Sequence, residues 1–122
     1  MPMSRALIQT HHMTSRTKIS AILALTRLHY CRCVLKTGQC PGIMIAESED
    51  GPGELRAWVK GVKALRYKDF RLEKMSDGLT SSGGRLGVND GDVLEIGDLK
   101  EFGELMGKWG LREWWRAGMG WS

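Results

Sequence analysis

The sequence predicts a single α+β domain, and three observations support this class. The chain has 122 residues, of which 42% are hydrophobic and 26% charged, as is usual for one globular domain. Short stretches in which polar and apolar residues alternate are typical of half-buried strands. They are followed by longer stretches in which apolar residues recur every three or four positions, which is typical of amphipathic helices. A sheet with helices packed against it is therefore expected.

Six elements are predicted in residues 1–75. Thr14 or Ser15 can cap a first helix, whose apolar residues then share one face. Pro52 at the first helical position and Glu54 in the first turn favour the start of a second helix. The predicted elements are a strand over 5–11, a helix over 16–28, strands over 30–36 and 43–46, a helix from 52 to about 65, and a strand over 67–75. This βαββαβ order is that of a ferredoxin-like domain, with an antiparallel sheet and two helices on one face.

The remaining residues predict a loop and a helical extension. Residues 76–92 are rich in glycine and serine and are expected to form a flexible loop, which only a few apolar residues such as Leu86 could hold down. A short extra strand is predicted over 93–96, and the spacing of Asp98 and Glu101 resembles a capping box. Two further helices, over about 99–109 and 111–117, are expected to pack on the core, so that residues 93–122 extend the same domain.

Charge is unevenly distributed along the chain. Residues 1–75 carry 13 basic and 6 acidic side chains, whereas residues 76–122 carry 5 basic and 8 acidic ones. A basic region predicts an anionic partner, and nucleic acid is the usual one. A generally basic surface without such a partner accounts for the composition equally well.

The expected location is intracellular, in the nucleus or the cytoplasm, with no membrane partner. The longest apolar run covers residues 19–25, far fewer than the roughly 18 residues that a membrane-spanning helix needs. The first residues lack the hydrophobic region and the cleavage site of a signal peptide.

Two groups of basic residues are candidates for contacts with nucleic acid. The sheet face opposite the two predicted helices would carry Arg32 and Lys36, with Tyr30 at the start of their strand and Arg71 from the last strand. Open sheet faces with basic and aromatic groups bind single-stranded RNA in ferredoxin-like modules. If the tryptophan-rich C-terminal helices cover this face, it cannot serve as a stacking platform and Arg32 becomes a rim residue. A second patch surrounds the end of the second predicted helix and comprises Lys60, Lys63, Arg66 and Lys68.

No metal, cofactor or catalytic residue is predicted. His29, Cys31, Cys33 and Cys40 follow the pattern H-x-C-x-C-x₆-C, whereas zinc sites normally use C-x₂₋₄-C. Cys31 and Cys33 also fall on the predicted buried side of a strand, where cysteine packs as a small hydrophobic residue. The glycines at 83–87 lack the Lys-Ser/Thr pair of a phosphate-binding loop.

The adjacent His11 and His12 have no nucleophile or carboxylate partner in the sequence pattern. Successive strand residues point to opposite faces, so at most one of the two can enter the core. Hydrogen bonding to nearby backbone is one role that remains, and a phosphate contact is the other.

Several short motifs resemble one known family. They are R-A-L-I-x-x-H-H-M at 5–13, T-K at 17–18, P-G-I-M-I-A-E at 41–47, A-W-V-K-x-V-K-A-L-R-Y-K-D-F at 57–70, and the tail over 101–120. Together they resemble the C-terminal domain of the pre-mRNA-processing small nuclear ribonucleoprotein of the spliceosome, which also occurs in fungal proteins that carry an RWD domain. The resemblance implies a ferredoxin-like fold and no enzymatic activity. In the splicing factor the domain engages small nuclear RNA, whereas in the RWD-linked relatives its role is not established. Because the chain begins at the domain's first strand, a free-standing domain or an incomplete gene product is expected.

The leading hypothesis is a non-catalytic RNA-binding domain whose basic side chains neutralise phosphates with little sequence readout. The candidate RNA contacts are His11, His12, Lys18, Arg32, Lys60, Lys63, Arg66, Lys68 and Arg71. The alternative is a protein-interaction module of the RWD-associated type, anchored by its tryptophan-rich C-terminal region. The anchor residues would be Trp109, Trp114, Trp115 and Trp121.

Overall fold

The computed structural model describes residues 2–121. Within this range the chain forms five strands, four α-helices and one short 3₁₀ turn. In chain order they are β1 (Met3–Thr10), α1 (Arg16–Leu28), β2 (Arg32–Lys36), β3 (Gly42–Ser48), α2 (Pro52–Lys63), β4 (Arg71–Leu79), the 3₁₀ turn (Ser81–Gly83), β5 (Val93–Ile96), α3 (Leu99–Lys108) and α4 (Arg112–Met119). The predicted α+β class is confirmed.

All five strands belong to one mixed sheet, in the order β4-β1-β3-β2-β5. The pairs β1–β3, β1–β4 and β2–β3 are antiparallel, whereas β5 runs parallel to β2. The four strands predicted for residues 1–75 therefore pair antiparallel, as expected, and only the extra strand β5 joins the sheet in parallel. The direction of β5 is set where β2 begins, because Gly91 N donates to Cys31 O at 2.8 Å and Cys33 N donates to Asp92 O at 3.1 Å.

One face of the sheet is covered by α1 and α2. Ser15 caps α1 by accepting a hydrogen bond from Lys18 N at 3.2 Å, and Pro52 is the first residue of α2, both as predicted. Trp58 is fully buried under α1, and its Nε1 donates to Thr26 Oγ1 at 3.1 Å. The sheet contributes to this core Ala6, Ile8, Cys33, Leu35, Met44 and Ala46.

The other face is covered by α3 and α4, so that β2 and β3 are buried on both sides. The prediction that the strand at 30–36 is half-buried is wrong for this reason. Asp98 caps α3 by accepting from Glu101 N at 3.2 Å, as the capping-box spacing predicts. Helix α4 approaches β1 so closely that a Cβ at Gly118 would collide with Leu7. Buried residues of this second core include Leu7, Val34, Ile43, Ile45, Leu86, Phe102, Met106 and Trp115.

Strand β4 is shifted along the chain relative to its predicted position at 67–75. Arg66 and Asp69 have φ values of 61° and 55°, and this left-handed backbone cannot continue a strand. Residues 64–70 therefore form the loop between α2 and β4, and β4 extends to Leu79, into the segment predicted to be a flexible loop. Within β4, Leu72 is exposed.

No helix in residues 2–121 has both the length and the hydrophobicity that a membrane crossing needs.

Candidate nucleic-acid interface

The loop at 64–70 follows α2, whose last turn carries Lys60 and Lys63. Cations are favourable at this position because the carbonyl end of a helix is the negative end of its dipole. Arg66 N donates to Lys63 O at 3.1 Å, which begins the turn into the loop. Lys60, Lys63 and Arg66 are all exposed to solvent.

Tyr67 fixes this loop to the core. Its side chain is only 7% exposed and packs in the core beneath α1 and α2. Lys18, in the first turn of α1, lies with its Nζ 4.9 Å from the centroid of the Tyr67 ring. The same Nζ donates to Arg66 O at 3.3 Å, so the ammonium group of Lys18 is held directly over the loop. Burial raises the pKa of the Tyr67 hydroxyl to about 12, which keeps it neutral at physiological pH.

The end of β1 is joined to the same loop. His11 N donates to Lys68 O at 3.0 Å, and His11 Nδ1 lies 3.7 Å from Asp69. The rings of His11 and His12 meet edge to face, with their centroids 5.0 Å apart. Arg71 is the first residue of β4 and pairs with Gln9 of β1, at the same end of the sheet.

Eight of the nine predicted contacts therefore lie around one end of the sheet. Residues 60–73 carry five basic and two acidic side chains, and Lys18 adds a sixth cation from α1. The two carboxylates, Asp69 and Glu73, neutralise part of this charge. We call this surface the basic end; its residues are His11, His12, Lys18, Lys60, Lys63, Arg66, Lys68 and Arg71.

Arg32 does not belong to the basic end, and its prediction as an RNA contact is wrong. Its side chain is fully buried at the opposite end of the sheet, where it contacts Glu47, Glu49 and Asp90. Burial alone would lower the pKa of the Arg32 guanidinium, but Glu47, Asp90 and Glu49 together raise it above its ordinary value. The cause is α3, α4 and the 84–90 loop, which cover the face that the hypothesis left open.

Sequence reasoning missed the role of Tyr67 and the fold of its loop. Tyr67 was assigned to a strand, and its neighbours Arg66 and Lys68 were identified only by charge. One available signal was the placement of a single aromatic residue between two cations just after a helix end. A buried anchor at that position leaves both neighbouring side chains pointing outward.

The C-terminal tryptophans are mostly packed against the sheet. Trp115 is buried in the second core, and Trp114 Nε1 donates to Ser76 Oγ at 3.1 Å. Trp109 is half-buried, whereas Trp121 is 39% exposed. The most accessible anchor for a protein partner among the four is therefore Trp121.

The cysteines were also candidates for chemistry. Cys31 and Cys33 are fully buried, and Cys40 is exposed. Burial, assisted by the charge of Glu54, raises the pKa of the Cys31 thiol to about 12, and burial also raises the pKa of Cys33. Both are therefore protonated core residues. Across residues 2–121 no three His, Cys, Asp or Glu side chains are grouped as metal ligands.

The chain was compared with known proteins. No family model and no curated protein matches the sequence. Among solved structures, the chain is similar to a bacterial light-regulated adenylyl cyclase, with a TM-score of 0.54 and 20% sequence identity. The match covers 96% of this chain and 34% of the cyclase chain, so this chain spans about a third of that protein's length.

This match contradicts the prediction that the chain has no enzymatic activity. The prediction rested on a family resemblance, and the match shows that a chain containing a similar fold is an enzyme. One fold supports many functions, so the fold cannot exclude catalysis. At 20% identity the likeness extends to the fold alone, and the cyclase activity is that of the longer protein.

Proposed function

We propose that this chain is an RNA-binding domain that contacts the phosphate backbone through the basic end. The main supporting observation is that eight candidate side chains gather at one end of the sheet; they come from the loop after β1, from α1, α2 and the 64–70 loop, and from β4. The sequence motifs that resemble the spliceosomal domain favour RNA as the anion. We further propose that β1 to α2 and β4 form a ferredoxin-like core, which the strand order β4-β1-β3-β2 supports.

Binding at such a surface is mainly electrostatic. Lys and Arg side chains neutralise phosphates and release the counterions condensed on the RNA. Lys18 is held in place by the Tyr67 ring and by Arg66 O, so it loses little conformational entropy when a phosphate arrives. The exposed side chains of Lys63 and Lys68 can adjust to successive phosphates. Little discrimination among base sequences is expected from contacts of this kind.

Stacking of bases on the sheet is not part of this proposal. The ferredoxin-like modules that read single strands use an open sheet face, whereas both faces of this sheet are covered by helices. RNA would instead meet the loop after β1, the loop at 64–70, the first turn of α1 and the end of α2. Both a duplex and a single strand offer phosphates to such a surface.

The experiment is a fluorescence anisotropy titration of labelled RNA, single-stranded and duplex, at several salt concentrations. If six cations contact phosphates of a single strand, a plot of the logarithm of the association constant against the logarithm of the salt concentration should have a slope of about −4. The double variant Lys63→Glu/Arg66→Glu should weaken binding roughly tenfold or more for all sequences alike. The matched control Arg85→Glu/Lys108→Glu changes the same charge at exposed positions away from the basic end.

Two results would overturn the proposal. A salt slope near zero would mean that phosphate contacts do not drive binding. Equal losses in the two double variants would mean that net charge alone matters and that the basic end is not the site.

A further inference from the structure

A groove with a volume of about 380 Å³ lies between α3 and α4, on a different surface from the basic end. Its apolar lining comes from Leu99, Trp115 and Trp121. Trp115 and Trp121 meet edge to face with centroids 5.4 Å apart, so the two rings form an aromatic wall. A Cβ added at Gly103 would lie 3.6 Å from the Trp115 ring, an ordinary van der Waals distance, so α3 passes directly beside this ring.

The rim of the groove is basic. Lys100 of α3 and Arg112 and Arg116 of α4 line it, against the single carboxylate of Glu104. Arg112 and Arg116 are four residues apart on one helix and therefore lie on the same face. Arg116 donates to Trp121 O at 2.8 Å, which holds Trp121 at the mouth of the groove. Within residues 2–121, neither Lys100 nor Arg112 forms a salt bridge.

We infer that this groove binds an acidic peptide segment of a partner protein, with one apolar side chain inserted between α3 and Trp121. Charge complementarity supports this occupant, because the three rim cations exceed the one carboxylate. Guanidinium groups bind carboxylates with two parallel hydrogen bonds, which gives Arg112 a specific role at the rim. The apolar lining supplies the anchor, since partly exposed tryptophans beside arginines are typical of energetically dominant contacts.

A peptide fits the groove better than a nucleic acid does. The volume lies near the small end of ligand pockets and accommodates one or two side chains. A groove between two helices with an apolar floor is a known mode of peptide recognition. Base stacking requires a broad open ring face, whereas Trp121 packs against Trp115 and is only partly exposed.

The test uses the full chain and a fluorescein-labelled peptide, Asp-Glu-Phe-Asp-Glu-Leu-Asp-Glu, followed by anisotropy in low and high salt. The wild-type chain should bind it, and Arg112→Glu and Trp121→Ala should each weaken binding roughly tenfold. The wild-type chain should bind a peptide with Ala in place of Phe and Leu as weakly as these two variants bind the original peptide. Lys108→Glu, an exposed charge reversal on α3 outside the groove, should leave the affinity unchanged.

A charge swap separates a direct contact from a folding defect. Arg112→Glu should recover affinity for the peptide in which Lys replaces Asp and Glu, while the wild-type chain should not bind that peptide. Failure of the wild-type chain to bind the acidic peptide would overturn the inference. It would also be overturned if Arg112→Glu reduced RNA affinity as strongly as Lys63→Glu/Arg66→Glu, because the groove would then belong to the nucleic-acid interface.

Discussion

The sheet face under α1 and α2 is largely apolar, whereas the face under α3 and α4 carries a row of buried charges. On the first face, β1, β2 and β3 contribute side chains such as Ile8, Leu35 and Met44. On the second, Arg5 of β1, Glu47 of β3 and Arg32 of β2 stand side by side in register. All three are buried.

The row of charges is held together by Glu47. One carboxylate oxygen accepts from Arg5 Nε, and the other accepts from Arg32 Nε at 2.9 Å and from Leu86 N at 3.0 Å. Arg5 also donates to Gly84 O at 2.9 Å, and Arg32 also donates to Asp90 at 2.9 Å. The three charged residues thus bind the loop over 84–90 along its length.

The contrast shows two ways of burying a sheet. The first face is stabilised by removing apolar surface from water. On the second face, charges are buried only because each one has a partner, and their partners include the loop that covers them. A segment rich in glycine is thereby fixed on the fold, although its composition predicts flexibility.

The largest effect on the free energy of unfolding is expected at Glu47, which pairs with both buried arginines of the second face. Glu47→Gln keeps the shape of the side chain but leaves Arg5 buried without a compensating charge and Arg32 with only the exposed carboxylates of Glu49 and Asp90. Breaking a buried ion pair by removing one partner costs about 3–5 kcal/mol, so the free energy of unfolding should fall by that amount. Urea unfolding followed by circular dichroism measures it.

Glu49 provides the matched control for Glu47. Its carboxylate contacts the same Arg32 at 3.1 Å, but its side chain is 38% exposed. Glu49→Gln should therefore cost less than about 1 kcal/mol. Equal losses in the two variants would show that burial does not distinguish the two carboxylates.

A smaller effect is expected at Leu86, the apolar residue that fixes the same loop. Leu86 is fully buried in the second core. Leu86→Ala should lower the free energy of unfolding by about 2–3 kcal/mol, because the loop can close only part of the cavity. Hydrogen exchange of the Leu86 amide, which donates to Glu47, should also become faster.

Val88 serves as the control within the loop, since it is only partly buried. Val88→Ala should cost less than Leu86→Ala and leave the Leu86 amide protected. Unchanged stability of Leu86→Ala would contradict a docked loop and support the flexible segment that composition predicts.

The first face could be predicted from sequence because its signals are local. Each of these signals lies within a single helix: the cap at Ser15 belongs to α1, and the initial proline and the spacing that buries Trp58 belong to α2. The second face could not be predicted in the same way. Arg32 and Lys36 alternate with apolar residues and therefore resemble the solvent side of a strand, whereas the partner that neutralises Arg32 is 15 residues away.

The same distinction between local and long-range signals applies to the candidate site. The cations of 60–71 could be predicted because they are close in sequence and follow a helix end. Their association with His11 and Lys18 depends on contacts between distant segments, such as His11 N with Lys68 O. The left-handed backbone at Arg66 and Asp69 carries no composition signal, since neither residue is glycine.

The smallest effect is expected at Tyr67, whose hydroxyl lies in the largely apolar core under α1 and α2. Within the described residues its hydroxyl is buried and lacks a hydrogen-bond partner, unlike the paired charges of the second face. Removing an unpartnered hydroxyl costs little, so Tyr67→Phe should change the free energy of unfolding at neutral pH by less than about 1 kcal/mol. RNA affinity should also be retained, because the phenyl ring still lies under Lys18.

The pH dependence of stability sharpens this prediction at Tyr67. The folded chain keeps the phenolic proton up to a pKa of about 12, whereas the unfolded chain releases it near 10. The unfolded state therefore binds fewer protons in this window, and the stability of the wild-type chain should fall as pH rises from about 10 to about 12. Tyr67→Phe should lack this part of the decline. Thermal unfolding at several pH values across the alkaline range measures it. Tyr30→Phe is the control for the loss of an exposed hydroxyl. If Tyr67→Phe lost more than about 2 kcal/mol of unfolding free energy at neutral pH, the hydroxyl would be hydrogen-bonded. Buried polar groups on both faces of the sheet would then have partners.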